Sequence, residues 1–197
     1  AVGLDCPYTN ILGKDAQGWM ETAELPPHVK EHIMQLLRIS NSFLDEIRVL
    51  DTLIEAEYGQ MKEAYLLDTI PGIAKNSAVA ILSEIGDIKR FASSKKLCAY
   101  AGLVPRVYQS GNVRHDGHVR HGNKMLKTTL VENANIAVMR CNKGNRFRKY
   151  YMKIKKKTGH QKAIVAVARK MLTIIWFMLQ RNKPFDGAVI CHTRRAA

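Results

Sequence analysis

The chain has 197 residues, with 31 Lys and Arg against 17 Asp and Glu and a formal net charge of +14. That length allows one large domain or two small ones with a sizeable core, and 46% hydrophobic residues exclude a disordered chain. The charge is divided: residues 1–88 hold 6 basic and 14 acidic side chains, net −8, while residues 89–197 hold 25 basic and 3 acidic (Asp116, Glu132, Asp186), net +22. A uniformly basic packaging chain is thereby disfavoured, and the second half is expected to meet an acidic partner, a nucleic acid or an anionic surface.

The chain does not begin with Met, and no element start is evident there, so it is expected to belong to a longer protein. Residues 1–27 read as an irregular linker remnant closed by Pro26-Pro27, through which a helix does not easily run. Residues 28–64 read as an arm. Ile33, Ile47, Ile54 and Met61 share one heptad position with polar Ser40, and Leu36, Phe43 and Leu50 share another, broken at Glu57. This period predicts a long helix over 28–61 able to form a coiled coil, flanked by acidic Glu31, Asp45, Glu46, Asp51, Glu55 and Glu57. The plainer reading is an amphipathic helix packed within its own domain.

Residues 66–86 predict a short helix stopping before Pro71, a tight turn in which Gly72 takes positive φ, and a second helix with small Ala78 and Ala80. This pattern resembles a helix-hairpin-helix motif. Gly72 and Ile73 would present backbone N–H groups to a phosphate, with Lys75, Asn76 and Ser77 adding contacts that position a duplex without reading it. An ordinary Pro-Gly turn between packed helices is the alternative. Further on, Ser93-Ser94 predicts the cap of a helix over 95–101, ended by Gly102 and kept from resuming by Pro105.

Residues 106–123 are the densest in polar chemistry, and their three glycines predict a loop. His115, His118 and His121 with Asp116 suggest a metal site by spacing, but Gly117 and Gly122 disfavour the helix that would align them. Solvated or phosphate-facing histidines are the reading preferred, with no metal. Ser110-Gly111, beside Arg106, Arg114 and Arg120, has two readings. It is a turn, or Ser110 is a nucleophile toward a phosphodiester whose developing charge the arginines counter. Gly111, His121, Asn123 and Lys124 complete the nucleic-acid-binding set predicted around it.

A helix over 124–141 is predicted to bury Leu126, Leu130, Ala134, Ala137 and Val138. After a loop at 142–145, a helix over 146–157 interleaves Phe147, Tyr150, Tyr151 and Ile154 with seven cations. Arg146, Arg148 and Lys149 are its first predicted phosphate contacts. The most apolar stretch, 163–179, is near the minimum spanning length and holds Arg169 and Lys170, so a buried helix is predicted rather than a membrane span. The tail from 182 reads as loose. Cys6, Cys98, Cys141 and Cys191 have no CxxC spacing and read as reduced thiols of an intracellular protein. The fold class predicted is mainly α, a long coiled-coil helix followed by a helix-hairpin-helix-containing domain, with boundaries at 1–27, 28–64, 65–185 and 186–197.

One ordered set of segments carries a family resemblance. It comprises Ile70-Pro71-Gly72-Ile73, Gly86-Asp87-Ile88-Lys89-Arg90-Phe91, Ala101-Gly102-Leu103-Val104-Pro105-Arg106, Ser110-Gly111, Arg120-His121-Gly122-Asn123 and Ala166-Val167-Ala168-Arg169-Lys170. With the coiled-coil segment before it, residues 28 to about 185 resemble the C-terminal transposase domain of bridge-RNA-guided insertion-sequence recombinases. Those proteins pair a RuvC-like DEDD domain with a serine-bearing domain. The resemblance implies that Ser110 is the nucleophile and that strand exchange passes through a covalent serine–DNA link. It implies no cofactor in this chain, and Mg2+ in a RuvC-like domain expected before residue 1. Asn112 stands where a second glycine often follows Ser-Gly. The partners implied are DNA, a guide RNA and further copies of the chain (a dimer or tetramer through the coiled coil), with no membrane, in a prokaryotic cytoplasm at the nucleoid. Without the RuvC-like part the chain is expected to bind nucleic acid without recombining it. The competing reading is a non-catalytic helix-hairpin-helix module.

Overall fold

A computed structural model describes residues 5–104, 106–110, 113–117, 122–141 and 145–186. It is mainly α, with one short β-hairpin, and divides into two units, residues 1–53 and 54–197.

In the first unit, α1 (Lys14–Thr22) precedes the long α2 (Pro27–Gln60), whose last residues, 54–60, belong to the second unit. The expectation of an irregular segment over 1–27 is corrected by α1. Nine residues with an uncapped start have little helical tendency of their own. What sustains α1 is Ala16, Trp19 and Met20, spaced three and four apart, packing with Ile33, Met34 and Leu37 of α2. The side-chain amides of Gln17 and Asn41 add a reciprocal pair at 3.2 and 3.3 Å. Helix α2 starts at the second proline. Pro26 supplies the carbonyl that accepts from Val29 and Lys30, and Pro27 takes the first helical position, where no N–H is needed.

The second unit contains α3 (Lys62–Asp68), α4 (Lys75–Ile85), a single 3-10 turn (Ile88–Arg90), α5 (Ser94–Tyr100), strands β1 (Arg106–Ser110) and β2 (Val113–Gly117), α6 (Lys124–Met139), α7 (Arg146–Thr158) and α8 (His160–Arg181). Helix α8 is the centre, with α3, α5, α6 and α7 packed on it and α4 bridging α3 and α6. Its Ala163, Ile164, Val167, Ala168, Met171, Leu172, Ile174, Ile175 and Met178 are all buried. It is the one helix among the described residues long and apolar enough to cross a membrane, and half of that stretch is buried within the protein. The apolar series predicted for α6 is buried throughout.

Asn182 ends α8 in the left-handed conformation. Residues up to Phe185 are tied down, which corrects the loose tail expected from 182 for that stretch; the tail from 187 lies outside the described residues. The Phe185 amide donates to Thr69 Oγ1 at 2.9 Å, and its ring stacks on Phe147 at 5.9 Å between centroids. Cys6, Cys98 and Cys141 are free thiols.

Candidate nucleic-acid interface and serine hairpin

The turn between α3 and α4 follows from two residues. Pro71 has no amide to extend α3, and Gly72 supplies φ +93, so Ile70–Ile73 closes as a type II turn with the Ile73 amide donating to the Ile70 carbonyl at 3.0 Å. Gly72 is also needed for packing. A Cβ there would lie 2.6 Å from the Asn133 carbonyl oxygen and 2.7 Å from the Ala137 nitrogen, both on α6. Ile73 is buried in the core. Ser77 donates to Asn133 Oδ1 at 3.0 Å, while Asn133, itself buried, leaves its Nδ2 unpaired. Lys75 pairs with Glu55, whose hydrogen bond and charge raise the pKa of its ammonium, and lies 5.4 Å from the Tyr58 ring centroid. Asn76 is exposed in the first turn of α4, which has no side-chain cap. Of the five residues predicted here, Gly72 and Ser77 thus meet α6, Ile73 is buried in the core, and Lys75 and Asn76 lie outward.

Where a loop was expected over 106–123, the backbone forms an antiparallel hairpin. Arg106 pairs with Gly117, Tyr108 with His115, Gln109 with Arg114 and Ser110 with Val113. The signal was present in the sequence. Val107, Tyr108 and Val113 favour strands, and Gly-Asn is a dipeptide used between two-residue-linked strands. The glycine count obscured it. Ser110 is the last residue of β1, Arg106 its first, and Arg114 the second of β2. Gly111, Arg120 and His121 lie outside the described residues, as do His118 and Asn112. Among the described residues, no three His, Cys, Asp or Glu side chains gather in a metal-binding arrangement.

Asn123 caps α6. Its Oδ1 accepts from the Leu126 amide at 2.9 Å, and Lys124 begins the helix exposed. In α7, Phe147 and Tyr151 are buried, and Lys149, Lys153 and Lys156, at spacings of four and three, lie on the opposite, exposed side. Arg148 is half-buried and spends Nη1 on the Val138 carbonyl at 2.9 Å, closing the end of α6. Arg146 is half-buried at the start of the helix. Sequence reasoning missed Asn145, whose Oδ1 caps α7 on the Arg148 amide and whose Nδ2 donates to Ala137 O at 2.7 Å. An Asn immediately before a helix was the available clue. Nothing in the sequence singled out Glu84, Tyr100 or Asn133.

Residues 64–152 match the family model described as Transposase IS116/IS110/IS902 family. The chain is 36% identical over 129 residues to the pilin gene-inverting protein of Moraxella bovis, covering 64% of this chain and 39% of that one. To the transposase for insertion sequence element IS1111A of Coxiella burnetii it is 33% identical over 121 residues, 60% of this chain and 33% of the relative. To the transposase for insertion sequence element IS1328 of Yersinia enterocolitica it is 27% identical over 188 residues, 93% and 56% respectively. The chain therefore spans from a third to just over half the length of these relatives. The matched segment runs from α3 to the middle of α7 and takes in the serine hairpin, so the similarity to transposases and to a gene-inverting protein centres on that part of the chain.

Proposed function

We propose that this chain is the nucleic-acid-binding and serine-bearing part of a DNA transposase or recombinase. The observation that carries the reading is the transposase-family match over 64–152, a segment that contains Ser110 at the end of β1 together with the start of the basic helix α7.

In this reading Ser110 Oγ attacks a phosphodiester. A bond forms from Oγ to phosphorus, one phosphorus–oxygen bond of the strand breaks, and the departing oxygen ends as a DNA hydroxyl holding the proton the serine gave up. Arg106, Arg114 and Arg120 offset the charge that develops on the phosphate. Lys149, Lys153 and Lys156 hold the backbone of DNA or of a guide RNA, and the outward start of α4 with Lys75 and Asn76 adds a second phosphate contact. In this reading Mg2+ is held by a RuvC-like domain of the full-length protein. The exposed stripe Leu36, Ile39, Phe43, Ile47, Leu50 and Leu53 on α2 pairs with another copy, bringing two serines to two strands. The protein acts in the cytoplasm, on nucleoid DNA.

The test is made in a full-length relative. Alanine at the position of Ser110 should abolish the covalent protein–DNA adduct on a denaturing gel while duplex affinity holds. An adduct that persists would leave a non-catalytic binding module. In the 197-residue chain, replacing Lys149, Lys153 and Lys156 with Ala should lower the logarithmic salt slope of DNA binding by about 3.

A further inference from the structure

The β1–β2 hairpin lies in the chain between Gly102 and Gly122, and these two glycines meet at one point of the helical unit. On the way out, α5 ends in a Schellman motif. Gly102 has φ +65, its amide donates to Ala99 O at 3.0 Å, and the Leu103 amide donates to Cys98 O at 2.9 Å. On the way back, Gly122 lies against that same turn. A Cβ on Gly122 would stand 2.6 Å from Gly102 Cα and 2.7 Å from its nitrogen, atoms of the backbone that cannot swing aside. The next residue is locked as well, because the Asn123 amide donates to the Tyr100 carbonyl at 2.8 Å.

The side chain of Asn123 is fully committed. Its Oδ1 caps α6, and its Nδ2 donates both to Glu84 Oε2 and to the Tyr100 hydroxyl, the latter at 3.1 Å. The Tyr100 hydroxyl in turn donates to the Glu84 carbonyl at 3.3 Å, and the Arg90 guanidinium lies 4.9 Å from the Tyr100 ring centroid. A carboxamide offers two N–H donors and one oxygen. All three are engaged within the fold, which leaves Asn123 nothing with which to hold a phosphate.

We infer that Glu84, Tyr100 and Asn123, with the Gly102–Gly122 contact, form a clasp that fixes the base of the hairpin and thereby positions Ser110. This rests on reading Ser110 as the nucleophile. The three side chains are positioning residues that touch no DNA. Closing a loop of this length costs entropy that the clasp offsets, and a nucleophile displaced by about 1 Å loses on the order of 100-fold in rate.

Amide hydrogen exchange on the 197-residue chain tests the clasp directly. Glu84→Ala and Gly122→Ala should speed exchange of the β1 and β2 amides by about tenfold or more, as loss of a charge-assisted hydrogen bond implies, with α8 amides unchanged. Glu84→Gln keeps an acceptor for Asn123 Nδ2 and should stay within about threefold of the parent. Should Gly122→Ala fail to fold, the Glu84 pair decides. In a full-length relative, the matching Glu84→Ala change should slow covalent adduct formation about 100-fold at unchanged DNA affinity, and the Gln variant should restore it. Unchanged hairpin exchange in Glu84→Ala, equal acceleration throughout α8, or no rescue by Gln would each overturn the clasp. An adduct that survives Ser110→Ala would instead overturn the nucleophile, and the exchange data would still decide the clasp.

Discussion

Helices α2 and α8 are the two longest in the protein, at 34 and 22 residues, and both carry an apolar series. They end differently. Helix α8 buries nine residues among its neighbours, whereas α2 buries only Leu37 and Tyr58 and leaves Leu36, Phe43 and Leu50 at 66%, 65% and 56% exposure. Apolar content does not separate them; the supply of partners does. The helices around α8 present facing apolar sides. Among the described residues of its unit the middle of α2 has no such neighbour, and its polar positions carry both signs of charge, with Asp45, Glu46 and Asp51 beside Arg38 and Arg48, so its stripe suits another helix.

The largest effect should come from disturbing the partnered side at its tightest contact. Gly72→Val places a branched side chain at positive φ against the α6 backbone and should cost about 4 kcal/mol, read as a lost or sharply lowered melting transition. A DNA-binding defect in that variant reports folding before it reports any phosphate contact. Leu172→Ala, fully buried on α8, should cost about 3 kcal/mol by chemical denaturation. On the unpartnered side the outcome should invert. Phe43→Glu with Leu50→Glu should change stability of the single chain by less than about 1 kcal/mol yet shift the sedimentation mass to that of one copy. A sedimentation mass indifferent to both changes would remove self-association through α2.

The smallest effect concerns Tyr58, at the end of α2 where burial resumes. Burial, and then the hydrogen bond its hydroxyl donates to Asp68 Oδ2 at 3.1 Å, raise its pKa above the ordinary value of 10.0. A folded pKa above the unfolded one gives a contribution complete below about pH 10 and lost as pH rises through the folded value. Tyr58→Phe should cost about 1 kcal/mol at neutral pH and flatten the alkaline fall in stability, measured by denaturation at several pH values.

Sequence reasoning reached the helices with strong local signals. The apolar series of α6, the Ser93 cap of α5 and the Pro71-Gly72 break were each written in a few adjacent residues. It passed over α1, whose helix depends on side chains across in α2, and the hairpin, whose glycines suggested a loop while its pairing joins residues up to eleven positions apart. For the candidate site, Ser110 and its arginines were legible as chemistry. The roles of Asn123 and Arg148 were not, because their type suits a phosphate as well as it suits the helix ends they close.

What the amino-acid sequence determined by itself was periodicity and charge: where helices run, which half is basic, and which serine stands among arginines. These are properties of neighbours along the chain. The tertiary structure decided which of those polar groups remain available. Ser77 and Asn123 are spent within the fold, Arg148 gives Nη1 to the end of α6, Lys149, Lys153 and Lys156 face outward, and Gly122 meets Gly102, twenty positions earlier in the chain. Availability depends on contacts between residues far apart in the chain, and those exist only once the helices have packed.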